Sequence, residues 1–185
     1  MGEQHKKHSR REHLNDFHLN VAGEYVYDGA LYACQSDDAK QHRIKRAVLG
    51  MAAILIVAVI AGGCIPAPGM QNCFYVLLPY LGEFLGAGSV IWALAKLGMD
   101  WGTVREYNYK QSVAVLPVRT AVTAVFSLLG IVCELIFFFV NDHAGQTFFA
   151  LLYVLLKLTA LLSALVLRAE IMQAEWDKLP KKDNF

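Results

Sequence analysis

Charged side chains are nearly absent from one long part of the chain. Between residues 47 and 98, the only ionisable side chains apart from cysteine and tyrosine are Glu83 and Lys96. The whole chain is 18% charged and 56% hydrophobic, whereas soluble globular proteins carry about 25% charged residues. The net charge of +1 gives no indication of nucleic-acid binding. This composition argues against a soluble fold.

Familiar catalytic and targeting motifs are also missing from the sequence. It contains no Walker loop, no zincin helix, no GxSxG motif and no paired-acid motif. We therefore predict no enzymatic activity and no cofactor. A cleavable signal peptide would place an apolar core directly after a basic start, whereas a long polar segment comes first here. We expect the first apolar segment to remain as an uncleaved anchor.

Four apolar stretches are long enough to cross a bilayer. A hydrocarbon core about 30 Å thick needs roughly 17–25 apolar residues in a helix, because each peptide group must be hydrogen-bonded within its own segment. The predicted spans are residues 47–63, 74–98, 117–140 and 147–167. Short loops between sequential spans favour an antiparallel arrangement. The predicted fold class is therefore an all-α integral membrane protein, a bundle of four transmembrane helices.

Lysine and arginine residues indicate the orientation of these spans. They occur before the first span, around the second loop and in the tail, but not in the loops 64–73 and 141–146. Because cytoplasmic loops carry the excess of basic residues, we predict that both termini are cytoplasmic. We expect the bacterial plasma membrane from the small size and tight loops, and the endoplasmic reticulum would satisfy the same orientation.

The segments outside the four spans are a polar arm, residues 1–46, and a tail, residues 168–185. Asp28-Gly29 lies between aromatic and branched residues in the arm, which predicts a β-hairpin over residues 24–34. A polar arm without fixed structure is the alternative. The tail is expected to continue the fourth helix as an amphipathic extension that stops at Pro180.

Five of the six histidines lie in the arm, and four of them, His5, His8, His13 and His18, lie within residues 5–18. No two of these four share the i, i+4 spacing that places two ligands on one helix face, and no cysteine or carboxylate cluster completes a site. We predict a solvated arm and no metal site.

Cys64 and Cys73 bracket the first loop, on the side where disulfides persist. We predict a disulfide between them that closes this loop. The alternative is a thiol-oxidising enzyme, but such enzymes use Cys-x-x-Cys pairs, and this spacing is wider.

Three ionisable residues lie inside the predicted spans, namely Glu83, Glu134 and Lys157. A charge at such depth costs at least a few kcal/mol, so it usually faces a partner or a water-filled cavity. We predict a pair between Lys157 and Glu134, with Glu83 close by. Three roles remain open for this charged network: packing of the helices, handling of a proton or substrate, and contact with another chain.

Small residues near Glu83 predict a close helix contact. Gly82 and Gly86 form a small-xxx-small face, and Pro79 frees a backbone carbonyl one turn earlier. Ala58 and Gly62 on the first span are the expected matching face. The same glycines would also suit a flexible carrier site.

Two functions follow from these observations. The first is a non-enzymatic subunit or scaffold of a membrane assembly, whose arm and tail bind a protein partner while the spans contact the lipid bilayer. The second is a small carrier or proton-coupled transporter that uses Glu83, Glu134 and Lys157. A homo-oligomer would favour the carrier.

Overall fold

The computed structural model describes residues 17–19, 23, 25–27, 29–98, 101–141 and 147–179. The predictions for His5, His8 and His13, and for a helix stop at Pro180, lie outside these residues. The helices are α1 (Asp38–Cys64), α2 (Pro68–Asn72), α3 (Phe74–Leu97), α4 (Glu106–Gln111), α5 (Leu116–Val140) and α6 (Thr147–Met172). The strands are β1 (Phe17–Leu19), β2 (Tyr25–Tyr27), β3 (Leu31–Cys34), β4 (Thr103–Arg105) and β5 (Trp176–Lys178).

Four of the helices, α1, α3, α5 and α6, are long and apolar enough to cross a membrane, which suggests a membrane-embedded protein. The prediction of four apolar helices is thereby confirmed. Helix α6 packs against α1 and α5, α5 also packs against α3, and α1 and α3 share a smaller contact. Pro117 lies in the first turn of α5, where its missing N–H has no helical partner to lose.

Large apolar side chains cover the outer surface of the bundle, and several polar side chains are buried within it. Large apolar side chains such as Leu85, Phe139 and Val57 are 71%, 82% and 63% exposed. The interior contains buried hydroxyl and ionisable groups between these helices. Such a distribution is the reverse of a soluble bundle, in which the polar groups face water.

A small antiparallel sheet closes one end of the bundle, which we call the sheet end. Strand β3 of the arm is central, with β4 on one side and β5 on the other. Tyr32 is opposite Val104 of β4 and Lys178 of β5. The arm, the second loop and the tail are therefore hydrogen-bonded to one another at the same end of the bundle.

The hairpin predicted over residues 24–34 is wrong in its pairing. Strand β2 pairs with β1, so that Tyr25 is opposite Leu19 and Tyr27 is opposite Phe17. Strand β3 has no free edge for β2, because β4 and β5 occupy both of its sides. A local turn signal at residues 28 and 29 could not reveal partners that lie more than seventy residues further along the chain.

The predicted extension of the fourth helix is shorter than expected. Helix α6 continues beyond residue 167, but it ends at Met172, and Trp176–Lys178 forms strand β5 instead. The strand is held by Gln35, whose backbone N–H donates to the Glu175 carbonyl, and by Leu179, whose N–H donates to the Leu31 carbonyl. Tertiary pairing with β3 therefore ends the helix before Pro180.

Aromatic side chains join the sheet to the bundle. The rings of Tyr32 and Tyr109 stack with their centroids 4.1 Å apart, and Trp176 lies 6.0 Å from Tyr109 and 6.4 Å from Trp101. Trp101 is buried in a core that continues into α1, α3, α5 and α6. The sheet is therefore packed on the helices rather than attached by a linker.

Candidate functional site

A buried ion pair links two of the long helices. Glu83 of α3 and Lys157 of α6 are 0% and 2% exposed, and the lysine Nζ contacts the glutamate Oε2 directly. The Ser127 hydroxyl of α5 donates to the Glu83 Oε1 atom at 2.7 Å. Both carboxylate oxygens therefore have a donor, as a buried charge requires if it is to remain ionised. Three helices meet at this one carboxylate.

Two tyrosine rings surround the charged end of Lys157. Its Nζ lies 4.6 Å from the centroid of the Tyr80 ring and 5.0 Å from that of Tyr153. A cation over an aromatic face is stabilised by the ring quadrupole, by roughly 0.5–2 kcal/mol depending on desolvation. The aliphatic stem of Lys157 passes Gly130 of α5, where an added Cβ would meet it at an ordinary contact distance of 3.5 Å.

Glu134 is also fully buried, but its carboxylate is not the partner of Lys157. The pair predicted between these two residues is therefore wrong. Glu134 lies seven residues after Ser127 on α5, a rise of about 10 Å, whereas the lysine amine is bound at the level of Ser127. The position of each residue along its helix predicted that the three ionisable groups lie in one region. It did not predict which carboxylate lies opposite the lysine.

The Glu134 carboxylate faces the short helix α2, at the end of the bundle opposite the sheet. The backbone N–H of Gly69 donates to its Oε1 atom at 3.4 Å. A Cβ atom at residue 69 would overlap the carboxylate, so only glycine allows this approach. The first backbone N–H groups of a helix have no partner within the helix and carry partial positive charge. The first loop therefore provides a backbone hydrogen-bond donor to this second buried carboxylate.

The glycines beside Glu83 do not pack where the sequence predicted. A Cβ at Gly82 would overlap the Phe126 ring, and a Cβ at Gly86 would lie 2.6 Å from the Thr123 Oγ1 atom, so both glycines face α5. The atoms nearest to both positions belong to α5 and not to α1, which was the predicted partner. Ala58 and Gly62 of α1 are buried, and Pro79 is buried within α3.

The predicted disulfide between Cys64 and Cys73 is also wrong, since all four cysteines of the chain are free. Cys64 is exposed at the end of α1, and Cys73 is half-buried at the start of α3. Residues 68–72 between them form helix α2, and the N–H of Cys73, which follows the helix, donates to the Gly69 carbonyl. Helical hydrogen bonds, and not a covalent link, therefore shape this loop.

Sequence reasoning missed Ser127, Tyr80 and Tyr153 as members of the network. A signal was present for Ser127, because it precedes Glu134 by seven residues, or two helical turns, and so shares its face of α5. Tyr153 precedes Lys157 by one turn in the same way. The Tyr153 hydroxyl is buried, and it has no hydrogen-bond partner in the part of the chain that the structure describes.

The network, defined as Glu83, Ser127, Lys157 and the two tyrosines, holds opposite charges in contact away from water. It can fix the relative rotation of α3, α5 and α6, and its carboxylate and amine are groups that can exchange a proton. The chain matches no protein-family profile, no curated protein and no solved structure.

Proposed function

We propose that the chain is a four-span integral membrane protein that acts as a non-catalytic subunit or scaffold of a membrane assembly. The sheet end supports this role best. It combines the arm, the second loop and the tail into one packed surface outside the four apolar helices. A protein partner would bind there, while the helices contact lipid.

The orientation proposed places the sheet end in the cytoplasm. An even number of crossings returns the tail to the side of the arm, and β3 and β5 do lie at the same end of the bundle. Basic residues accumulate at this end, including Arg43, Lys96 and Lys178, as the positive-inside rule requires. The location proposed is the bacterial plasma membrane.

The sheet offers partner-binding features that the helix bundle does not. Among the described residues, strands β4 and β5 each pair with β3 on one side only, and the outer edge of a sheet can accept an extended peptide through main-chain hydrogen bonds. Tyr107 of α4, two residues after β4, is an aromatic side chain at this end that is 43% exposed. Tyrosine is enriched at protein interfaces because its ring is apolar and its hydroxyl can hydrogen-bond.

Affinity purification from membranes in mild detergent tests the scaffold role. The full chain should retain a reproducible foreign subunit, and Trp176→Ala should lose it, because Trp176 packs β5 against Tyr109 and Trp101. Trp92→Ala is the matched control, since Trp92 is 62% exposed on α3 and should leave capture unchanged. Recovery of copies of the chain alone would contradict the scaffold role.

The second candidate is a proton-coupled carrier, and the burial of three ionisable side chains favours it. Glu83, Glu134 and Lys157 are all at most 2% exposed, and intramembrane ionisable groups often mark proton or substrate pathways. In proteoliposomes with an imposed pH gradient, a carrier would lose proton flux on Glu83→Gln and keep it without residues 1–29. If the protein is a scaffold, neither variant shows proton flux, and the Glu83→Gln variant still captures the partner.

A further inference from the structure

An open groove lies on the outer surface of the bundle near the sheet end. Its volume is about 410 Å³, and it is lined by six residues of α5 and by Arg168 of α6. The α5 residues extend from Pro117 to Phe126 and are apolar throughout. Val118, Val122 and Val125 among them are 65%, 44% and 55% exposed. The groove therefore combines one apolar wall with a single cation.

Arg168, the cation, lies at the end of the groove that is nearer to the sheet end. Lys157 is level with Gly130 of α5, and Arg168 follows Lys157 by eleven residues toward the sheet end. Eleven residues rise about 16 Å, which places Arg168 near residue 119 of the antiparallel α5. From there to Phe126 the apolar wall continues for about 10 Å toward the middle of the bundle.

Arg168 is half-buried, and it makes no hydrogen bond or ion pair with the residues that the structure describes. A guanidinium presents a planar set of donors that matches a phosphate. The groove therefore places a charge at one end of an apolar wall that runs toward the bilayer centre. A phospholipid has the same arrangement, because its headgroup lies at the interface and its acyl chains lie below it.

We propose that this groove binds an anionic phospholipid of the surrounding bilayer, with its phosphate at Arg168 and an acyl chain along α5. The proposal uses the membrane placement given above but does not depend on the identity of a protein partner. Basic pockets between helices on the cytoplasmic side are suited to anionic headgroups, because that leaflet is rich in anionic lipids.

Native mass spectrometry of the purified full chain tests the site. The protein is titrated separately with phosphatidylglycerol and with phosphatidylcholine of identical acyl chains. We expect the anionic lipid to bind about fivefold more tightly, as about 1 kcal/mol per cation near an anionic surface implies. Arg168→Gln should remove this preference, and Val122→Trp should weaken binding of both lipids because the indole fills the groove.

Two matched controls separate the groove from the rest of the surface. Arg43→Gln removes an exposed cation outside the groove, and Val57→Trp adds an indole to an exposed position of α1. Both should bind lipid as the unmodified chain does. Equal affinity for the two lipids, or an equal loss in Arg43→Gln and Arg168→Gln, would overturn the proposal. Because no partner is present in this titration, its failure leaves the scaffold test unaffected.

Discussion

Lys157→Met tests whether the buried ion pair stabilises the bundle. Methionine keeps most of the length of the side chain but removes the charge, so the Glu83 carboxylate would remain buried with Ser127 as its donor. Removing one partner of a buried pair costs about 3–5 kcal/mol, because the other charge is left uncompensated. For a chain of this size, such a loss lowers the unfolding midpoint by roughly 10 °C.

The double variant Glu83→Gln, Lys157→Met separates the interaction from the packing of each side chain. No uncompensated charge is left in it, so it should be markedly more stable than Lys157→Met alone. The cycle also needs the single variant Glu83→Gln. The coupling free energy is the difference between the change in unfolding free energy of the double variant and the sum of the changes in the two single variants. We expect it to be about 2 kcal/mol or more for groups in direct contact. Far-UV circular dichroism during heating in detergent micelles gives the unfolding midpoints.

The control is the exposed pair of Lys110 and Glu106 on α4, whose Nζ and Oε1 atoms lie 2.6 Å apart. The lysine side chain is 67% exposed, and such surface pairs contribute about 0.3–0.5 kcal/mol. Lys110→Met should therefore shift the midpoint little. The reasoning is refuted if Lys157→Met is as mild as this control, or if the effects of the two single variants simply add.

Two other predictions concern packing and the first loop. Gly86→Val should destabilise the protein by about 1–3 kcal/mol, since the new side chain would push α3 away from α5, whereas Gly88→Val at an open position should have little effect in the same thermal assay. Cys64 and Cys73 should both react with a maleimide without prior reduction, because their thiols are free. A labelling count that rises after reduction, measured by mass spectrometry, would show that they are paired.

The four long helices could be predicted because each is a local feature of 24 to 27 consecutive residues. Long apolar runs bounded by polar residues decide where each helix lies, and the observed bounds of α3, Phe74–Leu97, differ from the predicted 74–98 by one residue. Helix α1 begins earlier than the predicted residue 47, at Asp38. The polar residues 38–46 continue the helix beyond the apolar part, where water can solvate their side chains.

The contacts between helices could not be predicted in the same way. Depth follows from counting residues, but the rotation of each helix about its axis depends on all its neighbours at once. This is why Lys157 was assigned to Glu134 instead of Glu83, and why Gly82 was assigned to α1 instead of α5. The sheet was missed for a related reason, since three short strands from distant segments carry too little local signal.

The pairing of β3 with β5 also has a consequence for biosynthesis. All four long helices lie between Tyr32 and Lys178, its neighbour in the sheet, so these strands cannot pair until every long helix has been made. Under the proposed membrane placement, a chain that failed to insert one helix would leave these two strands on opposite sides of the bilayer, unable to pair. Completion of the three strands would thus distinguish correctly inserted molecules from defective ones.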